Sequence, residues 1–305
     1  MTIRQKIKAR FFNEYWPIWK LPLKFHCFWS DRSYLEYLYY HKFNKRIILS
    51  RDNRELKLYT EKIQWLKLYD RHPEYTDMVD KYNVCKYVAR TIGEEYLIPI
   101  FGVWDKFNDI PFDTLPSQLV LKCTHDSGSI IVCNEKNDIN LKKLDKYFTK
   151  RLSRNYYWSS RQWAYKNIMP RIIAQKFMVD DSGSGLKDYK IFCFNGEPKL
   201  VQVDIDRYGA DHRMNFYSTN WDFIPLMHFR PNAPLININK PICLELMLDL
   251  AGKLSANKIH VRVDFFITKG KLYFGELTFY NYSGLVPFYP EEWDRTLGDW
   301  ISLPI

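Results

Sequence analysis

One hairpin, carrying two opposed acids, restricts this chain more than any other stretch. Residues 259–284 read IHVRVDFFITKGKLYFGELTFYNYSG. Two alternating runs, 260–267 and 272–279, flank Thr268-Lys269-Gly270-Lys271, the pattern of two strands joined by a short turn. With Lys269-Gly270-Lys271 as the loop, Asp264 faces Glu276 and Arg262 faces Thr278. Opposed side chains have Cβ atoms about 4.5–5.5 Å apart, so two carboxylates share a face with nothing in the hairpin between them to neutralise them. A divalent cation held there makes sense of that register. A two-residue loop places the acids on opposite faces instead. The plain alternative is an amphipathic hairpin with two solvated acids.

A hairpin of this kind needs a core to sit in, and 305 residues with 46% hydrophobic content supply one, with room for two or three lobes. The net charge of +10 points to an anionic partner: nucleotide, acidic sugar, nucleic acid or membrane surface. The basic residues are dispersed and no nucleic-acid recognition motif accompanies them, so nucleic acid is set aside. Cysteines at 27, 85, 123, 133, 193 and 243 form no CxxC pair and several lie in apolar runs, which reads as reduced thiols and a cytoplasmic location. No apolar run approaches the ~18–20 residues that span a bilayer. Residues 1–45 mix Arg4, Lys6, Lys8, Arg10, Lys20 and Lys24 with Trp16, Trp19 and Trp29, a composition suited to peripheral contact with the inner face of the cell membrane. Pro17 and Pro22 break any long amphipathic helix there, and aromatics packed on the main body are the other reading.

Between 52 and 93 the spacing of Leu56, Tyr59, Ile63, Leu66 and Tyr69 predicts a helix, and Asp80-Lys81-Tyr82 opens another that Gly93 closes. Lys81 near a helix start opposes the helix dipole and reads either as a phosphate contact or as a solvated lysine. Two β-rich runs, 119–123 and 130–133, enclose Thr124-His125-Asp126-Ser127-Gly128-Ser129, a small polar loop able to bring backbone N–H groups to phosphate oxygens, with Lys122 just before it. The loop is neither a P-loop nor a Rossmann fingerprint, and a hairpin with a Gly turn is the alternative. Residues 171–179 read as a buried strand. Two further strands, 189–194 and 199–205, join through Asn195-Gly196-Glu197-Pro198, with Asp188, Lys190 and Arg207 as polar punctuation. Residues 211–240 read as loop, and 242–256 as an amphipathic helix.

In this order the pieces resemble the ATP-grasp superfamily, in its TupA-like branch associated with surface polysaccharide and teichuronopeptide biosynthesis. The resemblance runs from about Leu56 to Leu303 and is carried by DKY at 80–82, VLKCTHDSGS at 120–129, DYKIFCFNGEPK at 188–199, RVDFF at 262–266, GELTF with the SG of 283–284, and the trailing PEEWDRTLGDW. It implies an α/β (α+β) ATP-grasp fold with ATP between two lobes and a mainly helical N-terminal region. The implied organisation is a segment at 1–50, a helical part at 51–104, a central ATP-binding lobe at 105–178 and a C-terminal lobe at 179–305 carrying the metal and substrate sites.

The same resemblance implies site residues. Lys81, Lys122, Thr124, His125, Ser127, Gly128 and Ser129 bind the phosphates of ATP. Gln175, Lys176, Phe177 and Met178 form the adenine hinge, and Asp188 is the ribose ligand. Asp264, Glu276 and Thr278 hold Mg²⁺. Arg262 and Lys122 stabilise the transferring phosphoryl group, and Lys190, Arg207, Ser283 and Gly284 meet the substrate. The pattern departs from the superfamily at Gln175, where glutamate is common, and at Thr278, where asparagine is; Asn281 substitutes for the asparagine only if the strand ends early. The implied activity is ATP-dependent carboxylate–amine ligation on a capsule or O-antigen precursor, such as attachment of an amino acid to a uronic acid. A glycosyltransferase of the same pathway and a non-catalytic nucleotide- or sugar-binding subunit are the alternatives.

Overall fold

The computed structural model describes residues 29–135, 140–178, 188–206, 211–236 and 238–304. Four helices come first: α1 (Asp31–Phe43), α2 (Tyr59–Tyr69), α3 (Glu74–Val79) and α4 (Val84–Ile92). Strands β1 (Ile100–Trp104), β2 (Leu119–Cys123) and β3 (Ile130–Cys133) follow, then α5 (Leu141–Leu152), α6 (Tyr157–Ser160) and β4 (Ile172–Lys176). The last part holds β5 (Asp188–Phe194), β6 (Glu197–Ile205), β7 (Arg213–Tyr217), β8 (Phe223–Ile224), β9 (Met227–His228), α7 (Leu244–Ser255), β10 (His260–Thr268), β11 (Lys271–Thr278), β12 (Phe288–Tyr289) and α8 (Glu292–Asp299).

Every described strand pair is antiparallel. One sheet runs β1-β4-β2-β3, a second β11-β10-β5-β6-β7-β8, and β12 pairs with β9. Helices and antiparallel sheets in this arrangement are α+β. The boundary expected after residue 104 falls just past β1, the edge strand of the four-stranded sheet. That sheet has its own core, including Phe107, Leu119, Leu121, Phe148 and Ile172. The six-stranded sheet shares a larger core with α2, α4 and α7, so the chain forms two lobes, each with its own apolar centre.

Helix α2 departs from the simple stripe its sequence predicts. Ile63 and Leu66 are buried as expected, but so are Thr60, Glu61, Gln64 and Lys67. Each of these polar groups has a partner. Glu61 accepts from the N–H groups of Lys57 (2.9 Å) and Leu58 (3.0 Å), and Asp294 on α8 accepts from the Thr60 hydroxyl at 2.7 Å. The two helices meet closely because Gly298 has no side chain: a Cβ there would lie 2.1 Å from the Lys57 carbonyl oxygen. Gly298→Ala is therefore expected to lower stability by about 1–3 kcal/mol, the usual cost of overpacking. A urea midpoint unchanged from wild type would show that the helices part without cost.

Helix α1 buries Tyr34, Leu35, Leu38 and Tyr39 against the body, so the described part of the basic aromatic segment packs inward. Trp29 stays half exposed, and residues 1–28, with Trp16, Trp19 and all six basic residues named above, lie outside the described residues. No helix among the described residues is long and apolar enough to cross a membrane. Residues 211–240, read as loop, contain β7, which joins the six-stranded sheet through β6.

The acid-bearing hairpin turns more tightly than its sequence predicts. Its loop is the two-residue Lys269-Gly270, both at positive φ (50° and 67°), not three residues. Phe265 accordingly pairs with Phe274 and Thr268 with Lys271. A bulge at Gly275 then shifts the register by one, and Asp264 faces Glu276 after all. A Cβ at Gly275 would lie 2.8 Å from the Phe266 ring, which explains a glycine at that position.

Candidate active site

Asp80 begins the first wall of the site. Its Oδ1 accepts from the N–H groups of Tyr82 and Asn83, both at 2.8 Å, shaping the turn before α4. Helix α4 starts at Val84, so Lys81 lies in that turn and not within a helix as predicted. Its N–H donates to the Thr124 carbonyl at 3.1 Å and its Nζ to the Asp126 carbonyl. Lys81 thereby sits on the loop between β2 and β3.

That loop is held from within. The Ser129 hydroxyl accepts from the Cys123 N–H at 3.0 Å and donates to Asp126, whose other oxygen lies 3.3 Å from Arg151 Nη1. Thr124 N–H donates to the Arg171 carbonyl at 2.9 Å. His125 is buried, with Nε2 3.2 Å from the Arg151 carbonyl, and burial lowers its pKa below the usual imidazole value. The buried ring anchors the loop from inside and is not among the residues that line the cleft. Ser127 and Gly128 (φ 83°) are left exposed at the tip.

The second wall is one face of the six-stranded sheet. Alternation along the strands puts Asp188 and Lys190 of β5, Gln202 and Asp204 of β6, Arg262 and Asp264 of β10, and Glu276 and Thr278 of β11 side by side. Lys190 Nζ is 2.8 Å from Asp188, 2.9 Å from Asp204 and 3.7 Å from Asp264. Asp188 and Lys190, expected at ribose and at substrate, are thus buried and bonded to each other. Burial works against charge on Asp204, but Lys190, with hydrogen bonds from His212 and Gln202, holds its carboxyl well below the usual range.

Arg262 resolves the electrostatic problem posed by the two acids. Its Nε and Nη2 donate to the two oxygens of Asp264 at 2.6 and 2.7 Å, and Nη2 also reaches Glu276 at 3.0 Å and the Thr278 hydroxyl at 3.1 Å. The expectation that nothing in the hairpin neutralises the pair is therefore corrected. Arg262, two residues before Asp264 on the same face, lies across both acids. Burial disfavours its charge, yet the two carboxylates raise its pKa above the ordinary arginine value.

Strand β11 ends at Thr278, early enough for Asn281 to turn back and place its amide oxygen on Arg262 Nη1. Asn281 Nδ2 is buried and has no hydrogen-bond partner. Among the described residues no group of three or more His, Cys, Asp or Glu side chains is placed to hold a metal ion. The available set is two carboxylates plus the neutral oxygens of Asn281 and Thr278, hard donors whose chemistry suits Mg²⁺.

Both walls line one cleft of about 480 Å³, within the usual range for a small-molecule site. Of the residues expected at the site, it gathers Lys81, Ser127, Lys190, Arg262, Glu276, Thr278 and Ser283. Lys122 lies half-buried on β2, outside the residues that line it, and Asp264 sits behind Arg262. Gln175 pairs mid-sheet with Ile100 and Val120, while Lys176 and Phe177 border a separate pocket with Phe101 and Gln118. Arg207 lies outside the described residues. Sequence reasoning missed Asp204, although its alternation with Gln202 opposite Lys190 was a usable signal. It also missed Gln64 and Lys67 of α2, both buried although they lie off the apolar spacing of Tyr59, Ile63 and Leu66.

The sequence pattern of the TupA-like ATP-grasp family matches residues 61–302. No curated protein matches the chain. Solved structures similar to it include the D-alanine–D-alanine ligase of Bacillus anthracis (15% identity, 66% of this chain and 57% of that one, TM-score 0.39). Another is the D-alanine–D-alanine ligase of Helicobacter pylori (13% identity, 80% and 69%, TM-score 0.42). A third is a RimK domain ATP-grasp protein of Sphaerobacter thermophilus (9% identity, 74% and 69%, TM-score 0.41). The chain spans little more than half the length of the Bacillus anthracis enzyme. With the family pattern running through Lys81, the 124–129 loop, the Asp264/Glu276 pair and α8, the chain belongs to the TupA-like ATP-grasp family.

Proposed function

We propose that this protein is an ATP- and Mg²⁺-dependent carboxylate–amine ligase that joins an amino acid to a uronic acid of a capsule or O-antigen precursor. The observation that carries this reading is the guanidinium of Arg262, held across Asp264 and Glu276 in a cleft whose opposite wall is Lys81 and the 124–129 loop. A carboxylate resists attack by an amine because oxide is a poor leaving group. Transfer of a phosphoryl group from ATP makes an acyl phosphate, and phosphate then leaves readily.

That transfer needs charge neutralisation and positioning more than a covalent nucleophile. Lys81 and Lys122 neutralise the phosphates, with the exposed N–H groups of Ser127 and Gly128 as further donors. Phe177 and Met178, just past the end of β4, meet the adenine edge through their backbone, while Gln175 and Lys176 hold that segment in the sheet. Arg262 stabilises the phosphoryl group in flight, while Asp264, Glu276 and the oxygen of Asn281 or Thr278 hold Mg²⁺, which supplies charge neutralisation when bound. Closure of the 124–129 loop keeps water from the acyl phosphate. The net positive charge of the chain favours an acidic saccharide, and the basic residues before Trp29 suit one carried on a membrane lipid.

Thermal unfolding tests the nucleotide half. Mg·ATP at about 100 times its dissociation constant is expected to stabilise the fold by about 2.7 kcal/mol, and Lys81→Ala or Lys122→Ala to remove that shift. ADP release from ATP, scanned over glucuronate and galacturonate against the amino acids, tests the chemistry. Stabilisation by a UDP-sugar and not by Mg·ATP would move the assignment to a glycosyltransferase.

A further inference from the structure

Two strained turns meet at the cleft. Phe229 (φ 59°) is the centre of a three-residue turn, closed by the Arg230 N–H donating to the His228 carbonyl at 2.6 Å. Tyr282 (φ 43°) lies in the turn that follows β11. Bulky aromatic residues rarely adopt such angles, so their surroundings must hold them there. The small β9–β12 pair does this. His228 of β9 is buried and stacks on Phe288 of β12 with ring centroids 4.0 Å apart, and its Nε2 lies 3.2 Å from the Val286 carbonyl.

The strain brings two rings and a cation together. The Phe229 and Tyr282 rings are 4.8 Å apart and tilted by 31°, and the Arg230 guanidinium lies 4.8 Å from the Phe229 centroid. All three residues line the cleft, and Tyr282 keeps 36% of its surface exposed. The roles given to the rest of the cleft leave this corner unused. Lys81 sits on the 124–129 loop, and Lys190 and Arg262 are bonded to carboxylates of the sheet. Ser159 and Gln162, uncharged groups able to bond hydroxyls, line the same cleft.

We propose that Phe229, Arg230 and Tyr282 form the subsite that selects an acidic sugar ring, a role that rests on the ligase reading above. One face of a pyranose is a patch of C–H groups with slight positive charge, which packs against the negative face of an aromatic ring. Tyr282, backed by Phe229, is that platform. The N–H fork of a guanidinium matches the plane of a carboxylate, and Arg230 pairs with the carboxylate of the sugar. The subsite thus makes two separate selections. Tyr282 favours a ring over an open-chain acid, and Arg230 favours an acid over a neutral sugar.

Equilibrium binding tests both without turnover. Glucuronate, galacturonate, their neutral counterparts glucose and galactose, and glycolate are titrated by calorimetry into the full chain with Mg²⁺ and a non-hydrolysable ATP analogue. Wild type is expected to bind one of the uronates about 10-fold or more tightly than either its neutral sugar or glycolate. Arg230→Met is expected to lose the preference over the neutral sugar and keep that over glycolate. Tyr282→Leu is expected to do the reverse, and Tyr282→Phe, which retains the ring, to keep both. Loss of both preferences in one variant, or of neither, overturns the assignment, because a collapsed turn affects every ligand alike. Wild type alone gives a further check: the ring protons of the bound uronate are expected to shift upfield in the ring current of Tyr282, and unshifted protons overturn the platform. A uronate bound in this way, with no hydroxamate formed when Mg·ATP and hydroxylamine are supplied to trap an acyl phosphate, would sink the ligase reading and leave the subsite standing.

Discussion

Arg262→Met is expected to lower kcat of the proposed ligation by about a thousandfold and to destabilise the fold by about 3–5 kcal/mol. Asp264 is buried, and both of its oxygens are bonded to the Arg262 guanidinium. Removing that cation leaves a buried carboxylate opposite a second acid, with only Lys190 at 3.7 Å to offset it. Replacing both partners separates the two losses. Arg262→Met with Asp264→Leu is expected to regain most of the stability, since an apolar pair needs no counter-charge, and none of the activity. Urea midpoints and ADP release measure the two quantities independently. A single variant within about 0.5 kcal/mol of wild type would mean that the guanidinium is not what neutralises Asp264.

Lys190→Met is the second large effect, and pH gives it a signature. Lys190 is ion-paired to Asp188, Asp204 and Asp264, all buried. In the wild type, the depressed pKa of Asp204 contributes stability that is fully present above the unfolded carboxylate value of about 3.9 and is lost as pH falls below it toward the folded value. Without Lys190 the buried carboxylates face each other and take up protons more readily folded than unfolded. Relative to the wild type, in which the Asp204 contribution is constant from pH 7 to 5, stability of the variant is therefore expected to rise as pH falls through that window. The expected loss at neutral pH is about 3–5 kcal/mol. Parallel stability–pH curves for the two proteins would rule out Lys190 as the ion that holds the cluster.

What could be read without coordinates was governed by local rules. The turn at Asn195-Gly196 (two residues, since β6 begins at Glu197, where 195–198 was expected), the helix ending at Gly93 and the paired runs around residues 124–129 depend on backbone preferences that sequence expresses directly. The opposition of Asp264 and Glu276 was anticipated from a turn that is one residue longer than the real one, and Gly275 repaired the discrepancy. A glycine inside an alternating strand signals a bulge, and given that weight it yields the two-residue turn and the acid pair together. Burial of Gln64 and Lys67 was beyond reach, because their partners Ser283 and Gly284 lie more than two hundred residues away and helical periodicity assigns long polar side chains to solvent. The role of Arg262 as counter-ion was equally hidden. A strand pattern places a side chain on a face without saying whether its far end points along the strand to its own i+2 neighbour.

The bulge at Gly275 also makes the hairpin modular. Below it, the position of Asp264 is fixed twice, by Glu276 on one side and by Lys190 of β5 on the other. Above it, the pairing from Phe265 to Thr268 follows the turn at Lys269-Gly270, which is exposed. Residues added between Lys269 and Gly270 therefore lengthen a solvent-facing tip while the acids stay in register. That tip is a natural attachment point for a fluorophore or an affinity handle, giving a reporter a short covalent path to the reaction centre.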